Sequence, residues 1–126
     1  MEWYRPEMDP YKTAPPQIIS ISELKIDPDR RLVSRGGVEI SLTRTEFDIL
    51  LFLARNADRV VRSKTILRKI WGPQYGDTQT LRVHMGHLRK KIEPDPAAPS
   101  YVLTEAGVGY RLAVPKINRA KRAASA

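Results

Sequence analysis

The spacing of hydrophobic positions changes twice along the chain and predicts an α+β fold. Between residues 18 and 40, short apolar segments are separated by Asp27-Pro28-Asp29 and Gly36-Gly37, and such clusters favour turns between antiparallel strands. After Leu42 the apolar residues recur at intervals of three and four, which is the period of an amphipathic helix. Over residues 101–114, two alternating segments flank a glycine-containing turn, the pattern of a β-hairpin.

Three helices are predicted between the sheet and the hairpin. The first begins with a capping box over residues 43–46, and the second begins at Ser63 and ends before Gly72-Pro73. The third begins after Asp77, a favourable N-cap residue, and ends at about Ile92. The apolar residues expected to face the core from these helices are Phe47, Leu50, Leu51, Ala54, Ile66, Leu67, Ile70, Trp71, Leu81, Met85, Leu88 and Ile92.

Composition divides the chain into one domain and two ends. Residues 1–17 contain four prolines and little apolar periodicity, which predicts a disordered linker. Residues 115–126 are basic and rich in small side chains, which predicts a disordered tail. The remaining segment, residues 18–114, has a length typical of one domain with its own core.

The charge balance favours a polyanionic partner. The chain carries 22 Lys and Arg against 14 Asp and Glu, a net charge of +8, so nucleic acid is the first candidate and an anionic membrane surface the second. No apolar run approaches the roughly 20 residues that cross a bilayer, and the first residues do not resemble a secretory signal. Together with the absence of cysteine, these features favour a cytoplasmic protein that does not act on membranes.

Catalytic chemistry finds little support in the sequence. There is no cysteine, the two histidines lie on one helix, and no carboxylate cluster or phosphate-cradling glycine loop is present. His84 and His87 are three residues apart, but no third ligand has the spacing of a zinc site. We therefore predict neither an enzyme nor a cofactor or metal site.

The outer face of the third helix carries groups suited to reading DNA. Its side chains that could contact base edges in a major groove are Gln79, Val83, His87 and Lys90. The flanking Arg82 and Arg89 are better placed for phosphates, and Gly86 permits close approach of the DNA backbone. The alternative is a solvated basic face, which most charged helix surfaces are.

Six short segments, read together, resemble a known family. They are Thr43-Arg44-Thr45-Glu46-Phe47, Val60-Val61, Ile70-Trp71-Gly72, Leu81-Arg82-Val83-His84-Met85, Leu88-Arg89-Lys90-Lys91-Ile92 and Gly107-Val108-Gly109-Tyr110-Arg111. This set resembles the DNA-binding domain of OmpR/PhoB-type response regulators over about residues 18–114. Within that family, residues 81–89 and 104–111 are most similar to Kdp-type regulators of potassium transport.

The resemblance implies a winged helix-turn-helix with a four-stranded antiparallel N-terminal sheet, three helices and a C-terminal hairpin wing. The third helix would lie in the major groove, with Val83 and His87 facing bases, and the wing would lie against the minor groove. The residues implied to face phosphates are Lys64, Thr80, His84, Arg89, Thr104 and Tyr110.

The implied wing departs from the family pattern at one position. Gly107 and Gly109 would shape the wing, but Ala106 stands where many family members place an arginine that enters the minor groove. Two interpretations stay open: Arg111 substitutes for that arginine, or the wing is a hairpin that only closes the sheet.

The function implied is sequence-specific binding of double-stranded DNA for transcription regulation, with two copies head to tail on a direct repeat. The chain would be the effector domain of a two-component response regulator without its receiver domain, either cut from a longer protein or free-standing. Relatives are thought to contact RNA polymerase through the loop over residues 71–76, here Gln74, Tyr75 and Gly76 after Trp71. The alternative is a protein-interaction module that uses this loop and has only non-specific affinity for DNA.

Overall fold

The computed structural model describes residues 17–74 and 77–114, which form two antiparallel sheets and three helices. The first sheet contains β1 (Ile19–Ile21), β2 (Leu24–Asp27), β3 (Leu32–Arg35) and β4 (Val38–Ile40) in sequence order. The helices are α1 (Arg44–Arg55), α2 (Ser63–Trp71) and α3 (Thr78–Ile92). The second sheet contains β5 (Val61–Arg62), β6 (Val102–Glu105) and β7 (Gly109–Leu112), with β7 in the middle. The predicted winged-helix architecture is confirmed. The predicted tail and the predicted linker, except for its last residue, lie outside the described residues.

The turns of the first sheet follow the clusters seen in the sequence. Between β2 and β3, the Asp27 carboxylate accepts hydrogen bonds from the backbone N–H groups of Asp29 and Arg30, each at 3.1 Å. Between β3 and β4, Gly36 and Gly37 adopt φ angles of 57° and 81°, a conformation that costs glycine little. The paired Ile26 and Val33 are both buried, so one face of this sheet supports the core.

Helix α1 begins with the predicted capping box. The Thr43 hydroxyl accepts from the Glu46 N–H at 3.2 Å, and the Glu46 carboxylate accepts from the Thr43 N–H at 2.9 Å. Glu46 is itself buried and forms an ion pair of 2.6 Å with Lys91 of α3. The first turn of α1 is thereby tied to the last turn of α3.

The apolar side of α3 is the one predicted by its spacing. Its buried residues are Leu81, Met85, Leu88 and Ile92. Asp77 caps the helix by accepting from the Gln79 N–H at 3.0 Å, and Gly72, with a φ of 123°, follows α2. At the other end of α3, the Arg35 guanidinium donates to the Ile92 carbonyl and joins the first sheet to this helix. The C-terminal end of α3 is therefore tied to the first sheet as well as to α1.

A short strand that sequence reasoning missed makes the wing part of a larger sheet. β5 has only two residues, and it pairs with β7 through Val61 and Tyr110 and through Arg62 and Gly109. A Cβ on Gly109 would lie 2.0 Å from the Val61 carbonyl oxygen. Only glycine allows this approach, so the wing is anchored to the segment that leads into α2.

None of the helices within residues 17–74 and 77–114 has the length and apolar character needed to span a bilayer.

Candidate nucleic-acid interface

The outer face of α3 carries the four predicted base-reading side chains in an accessible position. Gln79, His87 and Lys90 are exposed, and Val83 is 45% exposed. Within the described part of the chain, none of these side chains forms a hydrogen bond or an ion pair. They are therefore available to a partner that approaches α3 from outside.

A groove of about 550 Å³ adjoins this face. It lies between the beginning of α2, the beginning of α3 and the wing, and we call it the wing groove. Its lining residues are Arg62, Ser63, Lys64, Thr78, Arg82, Thr104, Glu105, Gly107, Val108, Gly109 and Tyr110. The set includes six residues predicted to contact phosphates or shape the wing, namely Lys64, Arg82, Thr104, Gly107, Gly109 and Tyr110. The fold thus brings residues from distant parts of the chain to one groove.

The electrostatics of the wing groove suit an anion. Three cations, Arg62, Lys64 and Arg82, line it against the single carboxylate of Glu105. The carboxylate is engaged by Arg111 at 3.0 Å. The N-termini of α2 and α3 also contribute lining residues, and helix N-termini carry partial positive charge. This arrangement is best suited to binding a phosphate group.

Arg89 connects α3 to the wing. Its Nε donates to the Val102 carbonyl at 3.0 Å, and its Nη2 donates to the Thr104 hydroxyl at 2.6 Å. Its guanidinium carbon lies 5.6 Å from the centre of the Tyr110 ring. Three residues predicted to face phosphates thus form one cluster, which we call the helix–wing cluster. Two of the five guanidinium N–H groups are used in it, so donors remain for a ligand.

The two other predicted phosphate contacts on α3 are held by their own helix and its neighbours. The Thr80 hydroxyl donates to the Asp77 carboxylate at 2.9 Å. His84 Nδ1 lies 2.9 Å from the Thr80 carbonyl, and the His84 ring meets Trp71 edge-on at 5.1 Å. Trp71 is partly buried against the core, which supports a structural role for its indole. His84 is half-buried.

The tip of the wing exposes small and apolar residues, whereas the arginine near its base is paired with carboxylates. Ala106, Gly107 and Val108 are exposed, and Gly107 has a φ of 76°. Arg111 lies in the middle of β7, where its guanidinium contacts Glu105 at 3.0 Å and Asp58 at 3.6 Å. The one cation considered as a substitute for a wing-tip arginine is thus bound by two carboxylates near the base.

Several residues that position this site were not singled out from the sequence. Arg62 and Thr78 line the wing groove, and Val108 is 49% exposed at the wing tip. Buried Glu93 accepts from the backbone N–H groups of Tyr101 and Val102, at 3.0 and 2.7 Å, and so fixes the start of β6. The sequence feature that could have indicated the role of Glu93 is the presence of an acidic residue directly after α3. Nothing local indicates the role of the others.

The predicted polymerase-contact loop is only partly described. Gln74 is exposed after the end of α2. Tyr75 and Gly76 lie outside the described residues. In residues 17–74 and 77–114, no three His, Cys, Asp or Glu side chains are grouped as metal ligands would be.

Comparison with known proteins identifies relatives that are transcriptional or DNA-binding response regulators. The family described as "Transcriptional regulatory protein, C terminal" matches residues 37–112. The KDP operon transcriptional regulatory protein KdpE of Escherichia coli K12 is 41% identical over 100 residues, which cover 79% of this chain and 44% of KdpE. The DNA-binding response regulator MtrA of Mycobacterium tuberculosis H37Rv is 41% identical over 102 residues, which cover 80% of this chain and 45% of MtrA. The chain therefore spans less than half the length of either relative.

Solved structures agree with these matches. The DNA-binding domain of Klebsiella pneumoniae RstA, in complex with the RstA box, superposes with a TM-score of 0.73 at 31% identity, over 79% of this chain and 99% of that one. The response regulator DrrB, a Thermotoga maritima OmpR/PhoB homologue, superposes with a TM-score of 0.71 at 36% identity, over 76% of this chain and 44% of that one.

Proposed function

The chain belongs to the OmpR/PhoB-type family of C-terminal DNA-binding domains of transcriptional regulators, and from this premise we propose that it binds a specific double-stranded DNA sequence to regulate transcription. It acts by binding rather than by catalysis, in the cytoplasm, as the effector part of two-component regulation. The observation that carries the proposal is the free outer face of α3 beside the cationic wing groove.

Base reading falls to the exposed side chains of α3. A major groove is wide enough for one helix, and glutamine and lysine can form paired hydrogen bonds with adenine and guanine respectively. Gln79 and Lys90 have these functional groups, and the exposed Val83 methyls suit the methyl group of thymine. His87 completes this face. Because these side chains have no partner among the described residues, binding DNA breaks no contact within the protein.

Phosphate binding falls to the wing groove and the helix–wing cluster. Lys64 and Arg82 supply charge in the groove. Arg89, Thr104 and Tyr110 are already assembled. Thr80 and His84 lie next to the base-reading side chains on α3. Phosphate contacts fix the position of a protein on the duplex without carrying sequence information, and an assembled cluster does so at a low entropic cost.

One domain with one recognition helix buries a small interface, so affinity is expected to come from pairing of two copies. We therefore propose that two copies bind head to tail on a direct repeat. Contact with RNA polymerase through the loop over residues 71–76 belongs to the same proposal, with exposed Gln74 as its described member. It is a second role of a DNA-bound domain rather than a separate function.

The test is selection of duplexes from a randomised pool at near-physiological salt, with the V83A/H87A double variant in parallel. Both side chains are exposed on the outer face of α3, so the variant keeps its fold. We expect an enriched motif, repeated about one helical turn apart, that changes with the variant. Recovery of duplexes without a shared motif, in equal yield from both proteins, would refute sequence-specific reading by α3.

A matched control separates α3 from general charge effects. K25A changes an exposed residue of the first sheet, away from the groove and the recognition face. The K25A protein should select the same motif as the unaltered chain. A change of motif in this variant as large as in V83A/H87A would also contradict the assignment.

A further inference from the structure

Helix α1 is apolar on more sides than the core of the domain requires. Residues 49–54 are six consecutive apolar residues, whereas a surface helix normally needs one apolar stripe. The core takes Ile49, Leu50 and Leu53, which are fully buried. Leu51 and Phe52 are only partly buried. Leu51, which its spacing predicted to face the core, therefore lies with Phe52 on a second, partly exposed side of α1.

This second side forms the floor of a separate groove. Leu51 and Phe52 of α1 meet Ile70 of α2 in a cavity of about 500 Å³, which we call the α1–α2 groove. It shares no lining residue with the wing groove. Its volume is in the range that accommodates a few side chains of a ligand.

The rim of the α1–α2 groove is cationic. Asp48 lines it but is paired with Arg31 at 2.7 Å, and the Asn56 amide donates to the Phe52 carbonyl at 2.9 Å. The other two rim residues, Arg55 and Lys69, are exposed. Neither forms a hydrogen bond or ion pair with any residue whose position is described. Two uncommitted cations thus flank an apolar floor.

We propose that the α1–α2 groove binds a short acidic segment of a partner protein through aliphatic or aromatic side chains. Apolar side chains would cover Leu51, Phe52 and Ile70, and carboxylates on either side would pair with Arg55 and Lys69. DNA is a poor occupant because the floor offers no polar groups to a phosphate. Off DNA, a second copy is disfavoured as the occupant because the chain carries a net charge of +8 and like charges repel.

The test uses a displayed library of random 16-residue peptides, selected against the protein with excess duplex DNA present. The selected peptides are then measured against the unaltered protein and the R55E/K69E variant. We expect enriched peptides that combine acidic with aliphatic or aromatic residues, and that lose about tenfold in affinity, or about 1.4 kcal/mol, with the variant. The L51A/F52A variant, which keeps both cations, should lose affinity as well.

The matched control is K25E/R30E, which makes the same change of net charge on exposed residues of the first sheet and its turn. This control should bind the peptides as the unaltered protein does. Equal loss in both charge variants, or peptides without acidic residues, would overturn the proposal. So would a concentration-dependent dimer in sedimentation that R55E/K69E abolishes, because the groove would then receive a second copy. DNA binding, measured for every variant, keeps this test separate from the test of the proposed function.

Discussion

The outer face of α3 and the helix–wing cluster both belong to the proposed DNA interface, but their side chains are held in opposite ways. Gln79 and His87 are exposed and have no partner among residues 17–74 and 77–114. Arg89 is fixed by Val102 and Thr104 before any ligand arrives. The proposed base-reading side chains can therefore change without affecting the fold, whereas the proposed phosphate-binding side chains of the helix–wing cluster are part of it. Specificity and stability should therefore respond to different substitutions.

The largest effect is expected where the wing is anchored. In G109A, the new Cβ would lie 2.0 Å from the Val61 carbonyl oxygen, so β5 and β7 must separate. We expect the free energy of unfolding to fall by about 3 kcal/mol or more, measured by urea denaturation, together with loss of DNA binding.

Gly86 on α3 provides the control for this substitution. A Cβ there meets no atom within 4 Å, and alanine stabilises a helix relative to glycine by about 1 kcal/mol. G86A should therefore be as stable as the unaltered protein or more so, and should lose affinity only if the DNA backbone approaches closely. A stable G109A protein with an intact wing would contradict the anchoring role.

The next largest effect is a difference in stability between alanine substitutions of two adjacent lysines of α3. Lys91 pairs with buried Glu46 at 2.6 Å, whereas Lys90 lies on the outer face. We expect K91A to lower the free energy of unfolding by about 2 kcal/mol, because it leaves a buried carboxylate without its cation. K90A should stay within about 0.5 kcal/mol and should weaken DNA binding. The reverse pattern would show that the two sides of α3 have been assigned wrongly.

R89A should weaken DNA binding about as much as K90A does, but it should leave the sequence preference unchanged. Removing one phosphate contact should weaken binding to all duplexes and lower the salt slope of the binding constant by about one unit. H87A should instead change the preferred bases at fixed salt, by about 1–3 kcal/mol of discrimination at each affected base pair. The measurement is a salt titration of binding to matched and mismatched duplexes. An equal change of preference in both variants would contradict the division between the two regions.

The sequence predicts the elements of this domain well wherever the signal is local. The capping box at Thr43, the Asp77 cap and the end of α2 before Gly72 all act within one helical turn, and each is confirmed. β5 is not predictable in this way, because two residues carry no periodicity and its partner β7 lies far along the chain. The strand appears only once the wing is folded.

The same distinction applies to the interface. The outer face of α3 follows from helical periodicity, so its residues could be selected from the sequence alone. The ties of Arg89 to Thr104 and Tyr110 could not, since they depend on how closely the wing approaches the helix. Arg62 was missed for the same reason, because β5 is what brings it into the wing groove.

The smallest expected effect is the pH dependence of stability that comes from the Glu46–Lys91 ion pair between α1 and α3. Burial alone would raise the pKa of Glu46, but hydrogen bonds from Lys91 and Thr43 and the Lys91 charge together lower the pKa below its ordinary value of 4.5. A carboxylate whose pKa is lower in the folded state stabilises the fold above the unfolded-state pKa. That contribution should be lost as the pH falls from about 4.5 through the folded-state value. In E46Q, the free energy of unfolding should change less over this range than in the unaltered protein, while other carboxylates titrate in both. Identical pH profiles from urea denaturation would show that the ion pair between α1 and α3 contributes nothing, and the contrast between Lys91 and Lys90 would then need another cause.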